Sequence, residues 1–552
     1  MMEIEENIRK NALRNAFEHQ GKAEIKSVVS KTLGENPALR SRAREIIPIV
    51  EREVSRVNSL SIDQIVSEIE SSFPDVLQKE KKVQEHRLPD LANVKGKVVM
   101  RLAPSPSGPL HIGHSRMAIL NDEYVKRYGG ELILRLEDTN PANIDPFAYE
   151  QIPRDLEWLG VGITKTIIQS SRMEIYYKQA LTLLENGHMY VCHCDQEKFR
   201  KTRQEGIACP HRESDPAENA SRFRKMIDGE YNKGSAVAVM KTDIAHPNPS
   251  IRDWIAFRMS AAVHPMIGDK IHLYPTMNFS VAVDDHLLGL THVIRGTDHI
   301  SNTEKQSYIF QYNNWKVPEY FHYGFISIPD VIMKTSVIRK GILSREYRGW
   351  DDVKLHTIMA MKRRGYSPET FRRYWIESGL RAQNATFSWE IFNSMNRENV
   401  DKDAKRLFFV TDPVKIRITD AKPTVSSIPF HPERKEMGMR KYQIGKDPEI
   451  FIPRKEFESV PDGGIIRLKD LYNVIRKGDS FSYSQDQTFS SRQTKIVQWC
   501  PENSEDFEVL RPDGTVDRGR IEPLRSEVRG ISQFERYGYV NLSDGYGLFL
   551  HN

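Results

Sequence analysis

Two histidines three residues apart, His111 and His114, follow a proline-rich turn, Ala103-Pro-Ser-Pro-Ser-Gly-Pro109. On the first turn of a helix, imidazoles at that spacing share a face and can both donate to one phosphate chain. Gly113 between them lets such a chain approach the backbone. The run Lys97-Val-Val-Met100 ahead of the turn reads as a strand, and Met117-Ala-Ile-Leu120 with Tyr124-Val125 has the spacing of a helix packed on a sheet. The chemistry thus lies where a strand hands over to a helix, a place that favours an anion. Glu131-Leu-Ile-Leu-Arg-Leu136 reads as a second strand and ends at Glu137. Strand, helix, strand predicts a parallel crossover and a doubly wound α/β sheet, whose ligands lie beyond the carboxyl ends of the strands. That gathers Arg101 to Ser107 and Glu137 to Asn140 around one crevice.

A second group of residues suits a metal. Cys192-His-Cys194 and Cys209-Pro-His211 are separated by fourteen residues, and three of the chain's four cysteines fall in this stretch. Cys192, Cys194, Cys209 and His211 offer three thiolates and one imidazole, a donor set for tetrahedral Zn²⁺. His193 lies between two ligands and is left out, and Cys500 stands alone as a packed thiol. So few cysteines predict a reduced, cytoplasmic protein rather than a disulfide scaffold. No stretch is apolar and long enough to span a membrane, and the N-terminus does not read as a secretory signal.

The remaining chain must position these groups. At 552 residues and 39% hydrophobic composition it can form several cores, and its net charge of +5 requires any polyanion contact to come from local patches. Up to about residue 78 the chain is helix-like. Val50, Val54 and Val57 fall at helical spacing, with Pro48 placed to open that helix. The charged run Gln78 to Pro89 reads as a linker. Met361-Lys362-Arg363-Arg364 and Phe371-Arg372-Arg373-Tyr-Trp375 mix cations with aromatics, a stripe able to track phosphates. From Leu407 onward short β-type runs broken by Pro and Gly predict β-barrels.

The run Arg101 to His114 resembles the A-P-S-P-T-G-x-L-H-I-G-H motif of class I aminoacyl-tRNA synthetases, in the form used by glutamyl- and glutaminyl-tRNA synthetases. The resemblance extends over residues 97 to 552. It implies that His111, Gly113 and His114, with Ser105, Pro106 and Ser107, contact ATP, and that Mg²⁺ rides on the phosphates. Met333-Lys334-Thr335-Ser336 with Arg339-Lys340 is similar to the family's mobile K-M-S-K-S-like loop, and Gly349-Trp-Asp-Asp352 to its G-W-D-D anchor. Val337 stands where relatives carry the loop lysine. Lys334 is taken as the cation for the leaving pyrophosphate, with Arg339 and Lys340 as alternatives.

For the amino acid, the resemblance implies Arg101, Ser105 and Glu137, the last for the α-ammonium, and Arg295 for a γ-carboxylate. Glutaminyl enzymes place a neutral residue at that last position. Met277, in Tyr274-Pro-Thr-Met277-Asn-Phe279, replaces a substrate-touching tyrosine. The implied architecture is an N-terminal helical extension and linker (1–96) and a Rossmann-type catalytic domain (97–344) with an acceptor-binding, zinc-bearing insertion at about 190–293. A helical tRNA-contacting segment (345–405) and an anticodon-binding β-barrel region (406–552) follow. Lys362, Arg363, Arg364, Arg372 and Arg373 are the expected tRNA contacts. The expected activity is ATP-dependent charging of tRNA(Glu) with L-glutamate, and of tRNA(Gln) as well in the archaeal branch that the N-terminal helices and β-type tail resemble. The alternatives are a glutaminyl enzyme and a non-catalytic tRNA-binding paralogue.

Overall fold

The computed structural model describes residues 2–19, 21–36, 39, 42–73, 88–488, 494–523, 528–543 and 545–552. The expected linker at Gln78 falls almost wholly outside them. The chain divides into two compact units, Met1–Glu85 and His86–Asn552.

The first unit holds, among the described residues, the helices Met2–Glu18, Ile25–Glu35, Ala43–Asn58 and Ile62–Ser72. Their apolar faces meet in a core that includes Ile8, Leu13, Val28, Val50, Val54, Val57, Ile65 and Ile69. The valine spacing is a buried stripe, as expected. Pro48, however, does not open its helix, which begins at Ala43. An interior proline removes one i→i−4 bond. Ile46, Val50, Val54 and Val57 continue the buried face on both sides of it, and that burial outweighs one lost bond.

The second unit begins with three parallel strands: β1 (Val99–Leu102), β2 (Glu131–Leu136) and β3 (Lys165–Ile168). The helix Ile112–Tyr128 crosses between β1 and β2 and packs Ile119, Leu120 and Tyr124 against Met100, Leu132 and Leu134. An antiparallel sheet follows, made of β4 (Met189–Cys192), β5 (Val237–Met240), β6 (Ile255–Met259) and β7 (Leu273–Pro275). It has its own core around Phe223, Phe257 and Phe279, as an insertion should. The helix Met277–Leu287 then returns the chain to β8 (His292–Gly296) and β9 (Glu319–Tyr323), which pair in parallel.

Thr291 joins the two parallel groups. Its N–H donates to the Val99 carbonyl at 3.0 Å and its hydroxyl accepts the Val99 N–H at 2.9 Å. The spatial order is therefore β3, β2, β1, β8, β9, and it reverses between β1 and β8. That reversal is where such sheets open a ligand crevice.

Helices Ile358–Arg364, Pro368–Ser378 and Trp389–Val400 follow, and then two sheets of seven strands each among the described residues. In the first sheet the two edge strands are Lys405–Leu407 and Phe409–Thr411, halves of one segment interrupted at Phe408. In the second they are Lys495–Val497 and Cys500–Pro501. Edges so close along the chain mean that each sheet curls back on itself, the near-closed form expected of barrels. Among the described residues no helix is long and apolar enough to cross a membrane.

Candidate active site

The turn after β1 is pinned from three sides. The Glu137 N–H donates to the Pro104 carbonyl at 3.0 Å, and the Asp145 N–H to the Pro106 carbonyl at 2.8 Å. Gly108 packs so tightly on Trp350 that a Cβ would lie 2.7 Å from the indole. His111 is the N-cap of the following helix. Its Nδ1 accepts the Gly113 N–H at 3.1 Å, while its own N–H donates to His114 Nδ1 at 3.2 Å. The two rings stack with centroids 3.7 Å apart. With both Nδ1 atoms used as acceptors, each neutral ring carries its proton on Nε2. Burial lowers His111, further depressed by His114, and brings His114 down to about 4. At neutral pH the pair therefore presents two uncharged Nε2–H donors.

The second loop closes over this turn. Lys334 caps the helix Thr335–Leu343, but its exposed side chain makes no hydrogen bond or ion pair among the described residues. The cation drawn to the turn is Arg339, whose Nη2 donates to the Ser107 carbonyl at 2.8 Å and lies 3.5 Å from Asp145. Ser107 and Thr335 share a hydroxyl hydrogen bond of 2.9 Å, and the Met333 sulfur sits where a Cβ on Gly113 would touch it at 3.1 Å. Ser105 is exposed at the tip of the turn, and Ser336 and Lys340 are also exposed. The G-W-D-D segment does anchor the loop: Thr357 donates to the Trp350 carbonyl at 2.5 Å and bridges to His111, and Asp352 accepts two backbone N–H groups.

The amino-acid end is an ionic cluster that the sequence showed only in part. Arg101 was expected to pair bidentately with a ligand. Its fork is instead held by Asp285, with Nε to Oδ1 at 3.2 Å and Nη2 to Oδ2 at 3.4 Å, which leaves Nη1 available. Arg135, fully buried, donates to Asp285 at 2.6 Å and to Glu137 at 3.1 Å. Burial raises the Glu137 carboxyl above its ordinary value, against the pull of Arg135 and Arg101.

Arg295 donates to Gln306 Oε1 at 3.0 Å and to the Thr303 hydroxyl, and its guanidinium lies 4.5 Å from the centre of the Tyr320 ring. Its Nε has no partner, and no carboxylate lies within ion-pair distance of it among the described residues. Burial and then Arg101 push it down to about 10. Met277 opens its helix and meets Arg295 through Gln306, whose Nε2 lies 3.8 Å from the Met277 sulfur and donates to Asn278 at 3.1 Å. Arg101, Glu137, Met277 and Arg295 thus surround one place. Sequence reasoning missed Arg135, Asp284, Asp285 and Gln306. A signal existed for three of them: Arg135 interrupts an apolar strand, and Asp284-Asp285 an apolar helix.

The four metal-ligand candidates also converge. Their donor atoms lie within 4.8 Å of one another, with Cys192 and Cys209 sulfurs 3.4 Å apart and His211 Nδ1 3.4 Å from Cys209. His193 turns away to the Ser235 carbonyl, and Cys500 is fully buried.

The basic stripe is different from its sequence reading. Arg372 is bound to Asp122, Glu123 and the Gly160 carbonyl, and Arg373 to Glu377 and Glu398. Arg363 holds Asp351, and Arg364 is buried. Only Lys362 of the five is exposed without an ion pair among the described residues. Cations on two packed helices meet acidic neighbours that sequence spacing does not reveal.

Residues 97–402 match the family described as tRNA synthetases class I (E and Q), catalytic domain, and residues 404–490 its anticodon-binding domain. A glutamate–tRNA ligase of Thermoplasma volcanium is 56% identical over 99% of this chain and 100% of its own length. One of Methanocaldococcus jannaschii is 46% identical over 98% and 99%. A crystal structure of a glutamate tRNA ligase from Elizabethkingia meningosepticum, at 21% identity and a TM-score of 0.41, covers 56% of this chain and 70% of its own. Two stacked histidines at a helix start, a loop folded onto them, and a family match over the greater part of the chain agree: this chain belongs to the class I tRNA synthetases of the glutamate and glutamine branch.

Proposed function

We propose that the chain is a glutamate–tRNA ligase that activates L-glutamate with ATP and transfers it to the 3′ end of tRNA(Glu). The observation that carries this reading is Arg295, a buried guanidinium with no carboxylate partner, facing the same place as Arg101 and Glu137. A γ-carboxylate supplies the missing charge, whereas a γ-amide leaves the cation buried and unpaired. The chemistry is an attack by the α-carboxylate oxygen on the α-phosphorus, with pyrophosphate leaving. The terminal ribose hydroxyl then attacks the acyl carbon and AMP leaves.

No side chain need become covalently attached, so the protein's contribution is position and charge. In this reading His111 and His114 donate Nε2–H to the phosphates, and Glu137 holds the α-ammonium. Ser105, Pro106, Ser107, Gly113, Met333, Thr335 and Ser336 form the bed of the nucleotide. Mg²⁺ supplies charge to the triphosphate. Arg339 takes the place proposed for Lys334, because it is the loop cation that reaches the turn. The domain bounds 97–344, 345–405 and 406–552 go with this assignment, as does work in the cytoplasm, where translation supplies the tRNA.

Charging tRNA(Glu) and tRNA(Gln) transcripts with labelled glutamate and glutamine tests the reading. Glutamyl-tRNA(Glu) and glutamyl-tRNA(Gln) are expected. Glutaminyl product would reverse the amino-acid assignment, and product on tRNA(Glu) alone would remove the second tRNA.

Zn²⁺ fits Cys192, Cys194, Cys209 and His211, since a tetrahedron of these donors needs sulfurs less than about 4 Å apart. It would brace the loops before and after the helix Gln196–Glu205 without joining the reaction. Purified protein is expected to carry about one zinc per chain. Cys209→Ser should lose the metal and lower the thermal midpoint by several degrees, while Cys500→Ser should keep it. Full zinc content in Cys209→Ser would refute the ligand set.

A further inference from the structure

Arg364 ends the helix Ile358–Arg364 and keeps only 4% of its surface exposed. Its Nη2 donates to the Leu550 carbonyl at 3.2 Å and the Tyr366 hydroxyl at 3.4 Å. Nε and Nη1 have no partner, and no carboxylate lies within ion-pair distance among the described residues. The side chain lines a cavity of about 450 Å³ together with His356, Trp389, Asn393, Arg397 and His551. That volume is in the range of small-ligand pockets, roughly 300–1,000 Å³.

The charges on this lining favour an anion. Arg397 adds a second cation, exposed and without an ion pair among the described residues. Glu390 is the one acidic side chain among the lining residues, and it pairs with neither arginine. His356 is pushed down to about 3 by burial and by Arg364, so it stays neutral. His551 is spoken for: it accepts from Asn396 at 2.9 Å and bonds the Asn552 carbonyl at 3.0 Å. A buried guanidinium with two unfilled donors is costly until an anion meets it, and a planar fork suits phosphate best. The cavity also has an aromatic wall, with the His356 and Trp389 rings 5.1 Å apart between centroids. Such walls stack bases irrespective of sequence.

We propose that this cavity binds one nucleotide unit, its phosphate on Arg364 and Arg397 and its base against Trp389. The site is separate from the catalytic crevice but adjoins it through the backbone. The His356 carbonyl accepts the Ile112 N–H at 3.0 Å, and Thr357 bridges to His111. An occupant therefore sits one residue behind the start of the histidine helix.

The nucleotide has two sources, a free mononucleotide or one residue of bound tRNA. Only the second rests on the tRNA ligase reading. The test uses the full chain with its crevice filled by a non-hydrolysable glutamyl-adenylate analogue. AMP binding is measured by calorimetry and tRNA binding by filter retention, for the parent, Arg364→Met, Arg397→Gln and Trp389→Leu. Arg397 is exposed, so its variant remains informative if Arg364→Met fails to fold. One equivalent of AMP, weakened about tenfold or more by Arg397→Gln and Trp389→Leu, supports a free nucleotide. No AMP binding, but tRNA binding weakened tenfold or more by the same variants with a salt slope shallower by about one, supports a tRNA nucleotide. If AMP binds with no effect of the variants, or if neither ligand depends on them, the proposal is overturned. Failure of charging removes the tRNA source and leaves the AMP measurement intact.

Discussion

Arg295→Ala is expected to lower kcat/KM for glutamate by about 10²- to 10³-fold, the range set by losing the partner of a buried carboxylate. The same variant should unfold no more easily than the parent. Arg295 is held by neutral groups only, Gln306, Thr303 and the Tyr320 ring, and its Nε is unfilled. Removing a buried cation that lacks a counter-ion relieves desolvation, so the thermal midpoint should stay level or rise. Selectivity should collapse along with activity. The parent rejects glutamine because the γ-amide leaves Arg295 unpaired. Without the guanidinium both amino acids become poor substrates, and the ratio between them shrinks. Steady-state ATP–pyrophosphate exchange in the presence of tRNA, run with each amino acid, reads both effects. A glutamate kcat/KM within threefold of the parent would mean that the γ-carboxylate is held elsewhere.

The contrast between Arg295 and Arg101 explains what the sequence could and could not disclose. The turn from Arg101 to His114 was legible because its chemistry is local: the N-cap, the glycine and both imidazoles lie within four residues of each other. The strand and helix around it were legible for the same reason, since their apolar spacing records burial directly. The Cys192 to His211 cluster needed only two short loops to meet. The partners of Arg101 were not legible. Asp285 is 184 positions away, and no local pattern tells a bidentate ligand clamp from an arginine locked to a buried aspartate. Arg372 and Arg373 were misjudged similarly, because Asp122, Glu123 and Glu398 reach them from other helices. Lys334 was preferred over Arg339 by position in a motif. The helix that begins at Thr335 turns Arg339 toward the Ser107 turn and leaves Lys334 in solvent.

Those long-range pairs make a second large effect predictable. Asp285 carries two guanidiniums: Arg101, which faces the substrate place, and Arg135, which orients Glu137. Burial alone would raise its carboxyl, yet Arg101 and Arg135 hold it below the ordinary carboxylate range, so it is charged at neutral pH. Asp285→Asn preserves shape but leaves two cations sharing one neutral oxygen, with an amide N–H turned toward a guanidinium. Loss of such a charge in a buried pair costs about 3–5 kcal/mol. Part of that cost should appear as a lower thermal midpoint. The rest should appear as misplacement of Arg101 and Glu137, with KM for glutamate raised by about tenfold or more while KM for ATP changes little, because the histidine turn does not touch Asp285. Asp284→Asn is the matched control. Asp284 is equally buried and adjacent, but it serves Arg172, Tyr176 and Gln169. It should lower stability without raising the glutamate KM selectively. If both variants shift the two KM values alike, Asp285 is a structural carboxylate only; if Asp285→Asn alone raises the glutamate KM, the pair of arginines it holds is what shapes the amino-acid end of the crevice.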